Sequence, residues 1–522
     1  MRTGYSGTIY RFAAFPLRTF GVRLIVRPIV AVVAAFIFVG VFATQGQESV
    51  EPDILPSLAE PPASSVEPPP STSAQPLPAI PESLPSAPAE PLPSPEASLP
   101  SSEEAFPSSR QPLLSSMNYA GGYTTVVPGP VATGPNGVVS GRDVFPSGEA
   151  IESGEPRRLY YKFGLTVRGV WDDNIFLTNT NKVSDYYFAI EPFITIGVGD
   201  IEGRNKSYLR LDYMPSAILY VDHSDQDAFN QLIHLEGGYS SGRWTFSLAE
   251  DITLLESAWF NSFFDTTGVW ANTDAGGRTR VNIFNTRARA DYQLTGKVFL
   301  QGEFDSSIYF YPDHISSYMI SGGLYVYYNW LPKVSVGIGG TFGYDWVDDP
   351  TTNQTFEQVN ARLNYEVTSK FSLYASAGVE FRQFDGNRDV YISPVFEVGS
   401  IYNPFSGTSI TFAAGRRIYN SGYLANQDFG GTYVIGRFQQ RLFRRFYFGL
   451  GAGYENSDYI ATDRDVSAPR NDDYWFVEPS LDVLITRWLS AGVYYLHRED
   501  SSDINSSSFD DNQVGVRATV RF

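Results

Sequence analysis

The chain contains no cysteine. That excludes disulfides, thiolate metal sites, iron–sulfur ligation and cysteine nucleophiles together, and avoidance of cysteine is common in chains that cross an oxidising compartment. Histidine is also scarce. His223, His234, His314 and His497 are scattered along the chain and have none of the spacings by which histidines hold a metal. Charged residues make up 18% of the chain, below the ~25% of a typical soluble domain. The net charge of −19 argues against nucleic acid as a partner, because phosphate binding needs a basic surface. Apart from one stretch near the N-terminus, no apolar run approaches the ~20 residues of a spanning helix. Helical membrane architecture is therefore excluded for the rest of the chain.

Aromatics and glycine are abundant instead, with 33 Tyr, 37 Phe and 46 Gly in 522 residues. Many rings and glycines with little charge fit a membrane-embedded sheet better than a soluble enzyme.

At the start, Arg2, Arg11, Arg18, Arg23 and Arg27 precede an apolar run from Ile29 to Phe42, and Val41 and Ala43 stand before a cleavage point. Residues 1–43 read as a signal peptide. An uncleaved anchor is the alternative, with the run extended back through Pro28 to Leu24. Residues 44–116 form a second region, with 18 prolines between Pro52 and Pro112 among Ser, Ala and Glu. Such a segment buries too little apolar surface to offset its ordering entropy, so a disordered periplasmic linker is expected. At ~3.1 Å per residue in polyproline II it would reach on the order of 200 Å. Either it is a plain spacer or it tethers the protein to peptidoglycan or a periplasmic partner. Residues 117–157, rich in Gly, Val and Pro, are a transition segment.

From residue 158 to Phe522 one pattern repeats, in which segments of ten to fifteen residues alternate apolar with polar. Leu159, Tyr161, Phe163, Leu165 and Val167 oppose Lys162, Gly164, Thr166 and Arg168. Val514, Val516, Ala518, Val520 and Phe522 oppose Gln513, Gly515, Arg517, Thr519 and Arg521. The alternation gives about eighteen segments, beginning near 158, 184, 205, 230, 243, 278, 297, 316, 332, 353, 370, 389, 407, 428, 444, 471, 487 and 508. Sixteen remains open, since those near 230 and 389 are the least regular. Turns after even segments are mostly short, as at Ser240–Arg243 and Arg444–Arg445. Those after odd segments are mostly long and polar, as at Asp172–Val183, Glu256–Gly277 and Asn456–Asp472. Tight turns at one end and long loops at the other are the asymmetry of an up-and-down outer-membrane β-barrel, with the tight end in the periplasm. The fold expected is thus all-β, a transmembrane antiparallel barrel behind a disordered lead. Rings at Tyr327, Tyr328 and Trp330, at Tyr344 and Trp346, and at Tyr474, Trp475 and Phe476 are expected at headgroup level. A terminal Phe522 on an alternating strand resembles the signature that hands such barrels to their assembly machinery.

The opening hairpin carries Trp171-Asp172-Asp173-Asn174-Ile175-Phe176, then Ser184-Asp185 and Glu191-Pro192. In these residues the chain resembles the β-barrel porin 2 family of bacterial outer-membrane proteins, in a layout that runs over most of 158–522. The resemblance implies an outer-membrane barrel associated with capsule or exopolysaccharide production and without established catalytic residues.

Catalytic motifs are weak. Gly238-Tyr239-Ser240-Ser241-Gly242 matches G-x-S-x-G, but the nucleophile elbow needs a strand-to-helix turn and this one falls in a hairpin. Asp222, Asp225 and Asp227 are placed to hold Ca²⁺, to bridge divalent cations to lipopolysaccharide or merely to be solvated, without EF-hand spacing. No metal or cofactor is expected. By parity the lumen receives Lys162, Arg168, Arg210, Arg287, Arg289, Arg362, Arg382, Arg417, Arg437, Arg441, Arg517 and Arg521. Glu191, Asp212, Glu236, Asp291, Glu303, Glu366, Glu380 and Glu397 join them. Either the two signs pair across strands, or the basic groups favour passage of anions.

The function expected is a passive channel for passage or export of a polar or anionic solute such as exopolysaccharide. The alternatives are a structural barrel tethering outer membrane to cell wall and an outer-membrane enzyme built on Ser and His. The expected partners are membrane lipid and lipopolysaccharide, the barrel assembly machinery, and peptidoglycan or polysaccharide export components. The first prediction concerns processing. Mass spectrometry of outer-membrane fractions should find an N-terminus near Thr44, and recovery of Met1 would overturn the precursor reading.

Overall fold

The structure, a computed structural model, describes residues 159–199, 207–256, 274, 279–368, 370–386, 389–405, 407–468 and 470–522. The segments read as signal peptide, proline-rich linker and transition lie outside the described residues.

Alternating segments become strands because a period of two puts every apolar side chain on one face. The first six strands are β1 (Leu159–Asp172), β2 (Asp185–Gly199), β3 (Tyr208–Tyr220), β4 (Ala228–Ser241), β5 (Trp244–Leu255) and β6 (Val281–Gln293). Next come β7 (Val298–Phe310), β8 (Ser317–Leu331), β9 (Val334–Val347), β10 (Gln354–Thr368), β11 (Phe371–Phe384) and β12 (Val390–Tyr402). The last are β13 (Thr408–Asn420), β14 (Gln427–Leu442), β15 (Phe446–Ala461), β16 (Asn471–Leu484), β17 (Leu489–Ser502) and β18 (Phe509–Arg521). Each pairs antiparallel with its sequence neighbours, and β1 pairs with β18, so the sheet closes into an eighteen-stranded transmembrane barrel. Sixteen strands are excluded, and the weak segments near 230 and 389 are β4 and β12. The Gly238–Gly242 motif runs along β4 into a hairpin turn where Gly242 takes φ +61°, with no helix behind it.

The apolar face points outward. Along β2, Tyr186, Phe188, Ile190 and Ile196 are exposed while Tyr187, Ala189, Glu191, Phe193 and Thr195 are buried. Of the rings expected at headgroup level, Tyr328, Trp330, Trp346 and Trp475 lie on the outer face. Tyr327, Tyr474 and Phe476 do not: they are almost fully buried and point inward. Neighbouring residues on a strand must face opposite ways, so a run of adjacent aromatics cannot all be girdle.

Inward rings explain much of the glycine. A Cβ on Gly343 would lie 2.1 Å from the Phe356 ring, on Gly164 2.1 Å from Phe193, on Gly515 2.2 Å from Tyr494 and on Gly453 2.3 Å from Phe476. Each glycine is the direct cross-strand partner of its ring. The missing side chain lets the ring lie over the neighbouring strand, an aromatic covering of glycine that also pins the register.

The closing seam is stitched at both ends. Phe522 N–H donates to the Phe163 carbonyl at 2.9 Å. At the other end Asp173 accepts from Asn512 N–H and Nδ2, both at 2.7 Å, and Gln513 Nε2 donates to Asp172 at 3.1 Å. Asn174 Nδ2 donates to the Asp510 carbonyl at 2.8 Å. The Trp-Asp-Asp-Asn run that carries the family resemblance is therefore a fastening of β1 to β18.

Gly343→Ala should destabilise the barrel by about 1–3 kcal/mol through overpacking against Phe356. Heat-modifiability on gels should show the folded band lost at lower temperature, and a second change, Phe356→Ala, should recover part of the loss. An unchanged transition in the single variant would refute the packing argument.

Candidate functional site

The candidate basic residues are brought to the inner wall, and most are partnered there by acids. Arg168 (1% exposed) forms a two-pronged pair with Glu191 at 2.6 and 3.0 Å and also reaches the Tyr494 hydroxyl at 3.3 Å. Arg362 grips Glu303 across three strands at 2.8 and 2.9 Å and lies over the Tyr325 ring. Arg289 approaches the same Glu303 at 3.5 Å. Arg382 binds Glu380 at 2.7 Å, Arg417 binds Glu397 at 3.0 Å, and Arg210 binds Asp212 at 2.7 Å. Arg287 pairs with Asp251, and Arg517 holds Asp482 with two nitrogens. Arg437 lies within electrostatic range of Glu478, and Arg441 runs beside Gly407 at the tight-turn end. Lys162 and Arg521 lie near that end on the first and last strands. The Glu366 side chain lies outside the described residues. Of the two readings of the lumen charges, pairing is what the geometry displays.

The histidines are scattered in space as in sequence. His223 meets Asp185 at 2.9 Å, and His234 lies between Asp251 and Glu236. His314 sits by Tyr311 and Tyr423, and His497 by Trp475 and Asn512. Asp222, Asp225 and Asp227 do not gather round a cation position: Asp227 accepts from Tyr220 N–H at 2.7 Å, and the Asp222 N–H donates to Asp185. Among the described residues the acids grouped closely enough to share an ion are Asp172, Asp173 and Asp511. Asp172 and Asp173 are engaged in the seam and Arg498 donates to Asp511 Oδ2 at 2.6 Å, while Asp511 Oδ1 is buried without a hydrogen-bond partner.

Inward-turned side chains cluster in the half of the lumen near the long loops. Between β1 and β2 the chain turns in, so that Ile175 joins a cluster with Val170, Tyr187, Ile218 and Tyr494, while Leu177 joins Tyr433, Tyr474, Phe476 and Phe509. Between β5 and β6, Asp274 is buried and far from its own hairpin. Its carboxylate accepts from Tyr459 Oη at 2.7 Å, Ser421 Oγ at 2.8 Å and Gly422 N–H at 2.7 Å, while its carbonyl accepts from Arg470 at 3.0 Å. β5 and β6 stand half a circuit of the eighteen strands from β14 and β15, so these contacts join Asp274 to distant parts of the barrel. The rest of the Glu256–Gly277 loop lies outside the described residues.

A second element enters the lumen beside it. β12 and β13 pair only from Phe396↔Arg416 to Tyr402↔Ile410, whereas β13 and β14 stay paired to Asn420↔Asp428. Beyond Arg416 the β13–β14 hairpin leaves the wall. Asp428 reaches Arg382 on the inner face of β11 at 3.4 Å, and Asn420 hydrogen-bonds Asp345 on the inner face of β9. The tip then collects other loops: Ile315 N–H donates to the Gly422 carbonyl at 2.8 Å and Asn426 N–H to Thr351 Oγ1 at 2.9 Å. Parity arguments missed Asp274, Ser421, Gly422 and Asp428. An isolated Asp in a Gly- and Thr-rich loop carries no periodic signal, and its partners lie 147 to 196 residues downstream.

Burial pushes the Asp274 carboxyl up from its usual range, and the donors Tyr459, Arg470, Ser421 and Gly422 offset this only in part. A raised value means that the docked loop holds its proton more tightly than the undocked loop. Docking is therefore strongest below the free carboxyl value of ~3.9 and weakens as pH rises through the docked value. Conductance in planar bilayers should accordingly fall as pH is lowered from 7 to 4, and Asp274→Ala should flatten that dependence. An unchanged profile in the variant would remove Asp274 from the account.

No protein-family model matches the sequence, and no curated protein matches it. Solved structures similar to the chain include OpdO of Pseudomonas aeruginosa, at 11% identity and TM-score 0.36 over 69% of this chain and 97% of that one. The outer membrane protein OpdK of the same organism is similar at 12% identity and TM-score 0.36, over 70% and 99%. OccAB4 of Acinetobacter baumannii is similar at 10% identity and TM-score 0.35, over 69% and 98%.

Proposed function

We propose that the protein is an outer-membrane channel for a polar or anionic solute, with exopolysaccharide or a fragment of it as the class. The observation that carries this reading is the inner wall itself. A closed sheet of eighteen strands is wide enough for an aqueous path, and its inward face carries ion pairs and tyrosines beside the apolar clusters near the long loops. Tyr187, Tyr325, Tyr327, Tyr374, Tyr433 and Tyr494 alternate there with Arg168, Arg362 and Arg417. Rings and guanidinium groups suit sugar faces and acidic substituents. The clustering of side chains in the outer half favours one competing reading, a structural barrel whose lead tethers membrane to cell wall.

Purified protein in a planar bilayer separates the two. A channel shows conductance, and a structural barrel shows none at any voltage or pH. Under a salt gradient, Arg287→Gln with Arg289→Gln should shift the reversal potential toward cations, because Asp251 and Glu303 lose those cationic partners. Reversal potential and conductance equal to wild type would place these side chains outside the conduction path.

A further inference from the structure

The unzipped seam between β12 and β13 has a second arrangement built into it. The ladder between them, Phe396↔Arg416 through Tyr402↔Ile410, would continue as Val395 opposite Arg417, Pro394 opposite Ile418, Ser393 opposite Tyr419 and Ile392 opposite Asn420. All these residues are in strand conformation, and β12 is fully paired with β11 on its other side through Val390. Only the β13 side is open. An unpaired strand edge in a membrane barrel is costly, since lipid offers no hydrogen bonds. Pro394, with no N–H to give, stands within this stretch, as expected of an edge.

What holds the hairpin inside is a set of polar contacts near its tip beside an apolar cluster of Tyr419, Phe429, Tyr459 and Leu424. Asp428 meets Arg382, Asn420 meets Asp345, Gly422 meets Asp274 and Ile315, and Asn426 meets Thr351. Ile418 is 1% exposed, and Ser421 and Asp428 are fully buried. The same residues would leave the lumen if the hairpin swung out to complete the ladder. Ladder bonds at the seam and side-chain bonds in the lumen are therefore alternatives, the condition for a two-state element.

We infer that the β13–β14 hairpin is the gate of the barrel: lapped inside β12 it closes the lumen, and zipped onto β12 in continued register it opens it. This deepens the channel reading and rests on it, but hairpin movement can be measured without conductance. Because the chain has no cysteine, an engineered pair is unambiguous. Ile392→Cys with Asn420→Cys places two thiols opposite one another in the continued ladder. In the lapped arrangement the 420 side chain is turned to Asp345 of β9 and that of 392 is exposed on the outer face, unpaired with 420, so the two are not placed for the geometry that a disulfide requires. Tyr402→Cys with Ile410→Cys, already paired, serves as the oxidation control.

The gate predicts that mild oxidant bridges the 392/420 pair in folded, heat-modifiable barrel, and that Asp428→Asn speeds bridging by loosening the hold on Arg382. It also predicts a higher conductance in the bridged protein, reversed by reductant. Failure of the 392/420 pair to bridge while the control does so overturns the gate and leaves the channel reading standing. Bridging that leaves conductance unchanged also overturns it, since the hairpin would move without governing the path. A barrel that bridges but never conducts, in any state, removes the channel reading instead.

Discussion

Every backbone N–H and C=O that sits in hydrocarbon must find its partner within the chain, and the rest of this structure follows from that constraint. It forces the sheet to close, which makes the β1–β18 seam the place where the fold is completed. Asp172, Asp173 and Asn174 are engaged there with Asn512, Gln513 and the Asp510 backbone at one end, and Phe163 with Phe522 at the other. Closure then divides every strand into a lipid face and a lumen face, so that charge has only one place to go.

Inside, burial against neighbouring side chains governs where charge is placed. A guanidinium group on a wall of low dielectric is stabilised by an acid within reach. The lumen accordingly carries Arg168 with Glu191, Arg362 with Glu303 and Arg517 with Asp482 rather than a ring of one sign. Rings such as Tyr325 lie beside the pairs.

The wall was legible in the sequence. Strand starts read from alternation fall within three residues of those observed, and the side on which Arg287 or Arg437 projects follows from parity. The mouth was not. Period two says which face a residue shares with its neighbours but not whether a strand stays in the sheet, and although the alternation of Ile410, Phe412 and Ala414 breaks at Arg416, where β13 leaves β12, the break does not say where the strand goes. The adjacent rings Tyr327 and Tyr328 show the same limit on a smaller scale, since composition suggests a girdle while geometry sends one of them inward. Asp274 illustrates it in its plainest form: one acid among small polar residues, with its meaning held by Tyr459, Ser421 and Arg470.

The meeting of loops on the β13–β14 tip has a bearing on how the molecule is seen from the long-loop side. Gly422 and Asn426 of that tip are joined to Ile315, Thr351 and Asp274, so that four hairpins are tied together just beneath the surface. An antibody or a phage adhesin would meet a composite epitope whose parts cannot vary independently. Recognition there would report the arrangement of the mouth as much as the identity of any single loop.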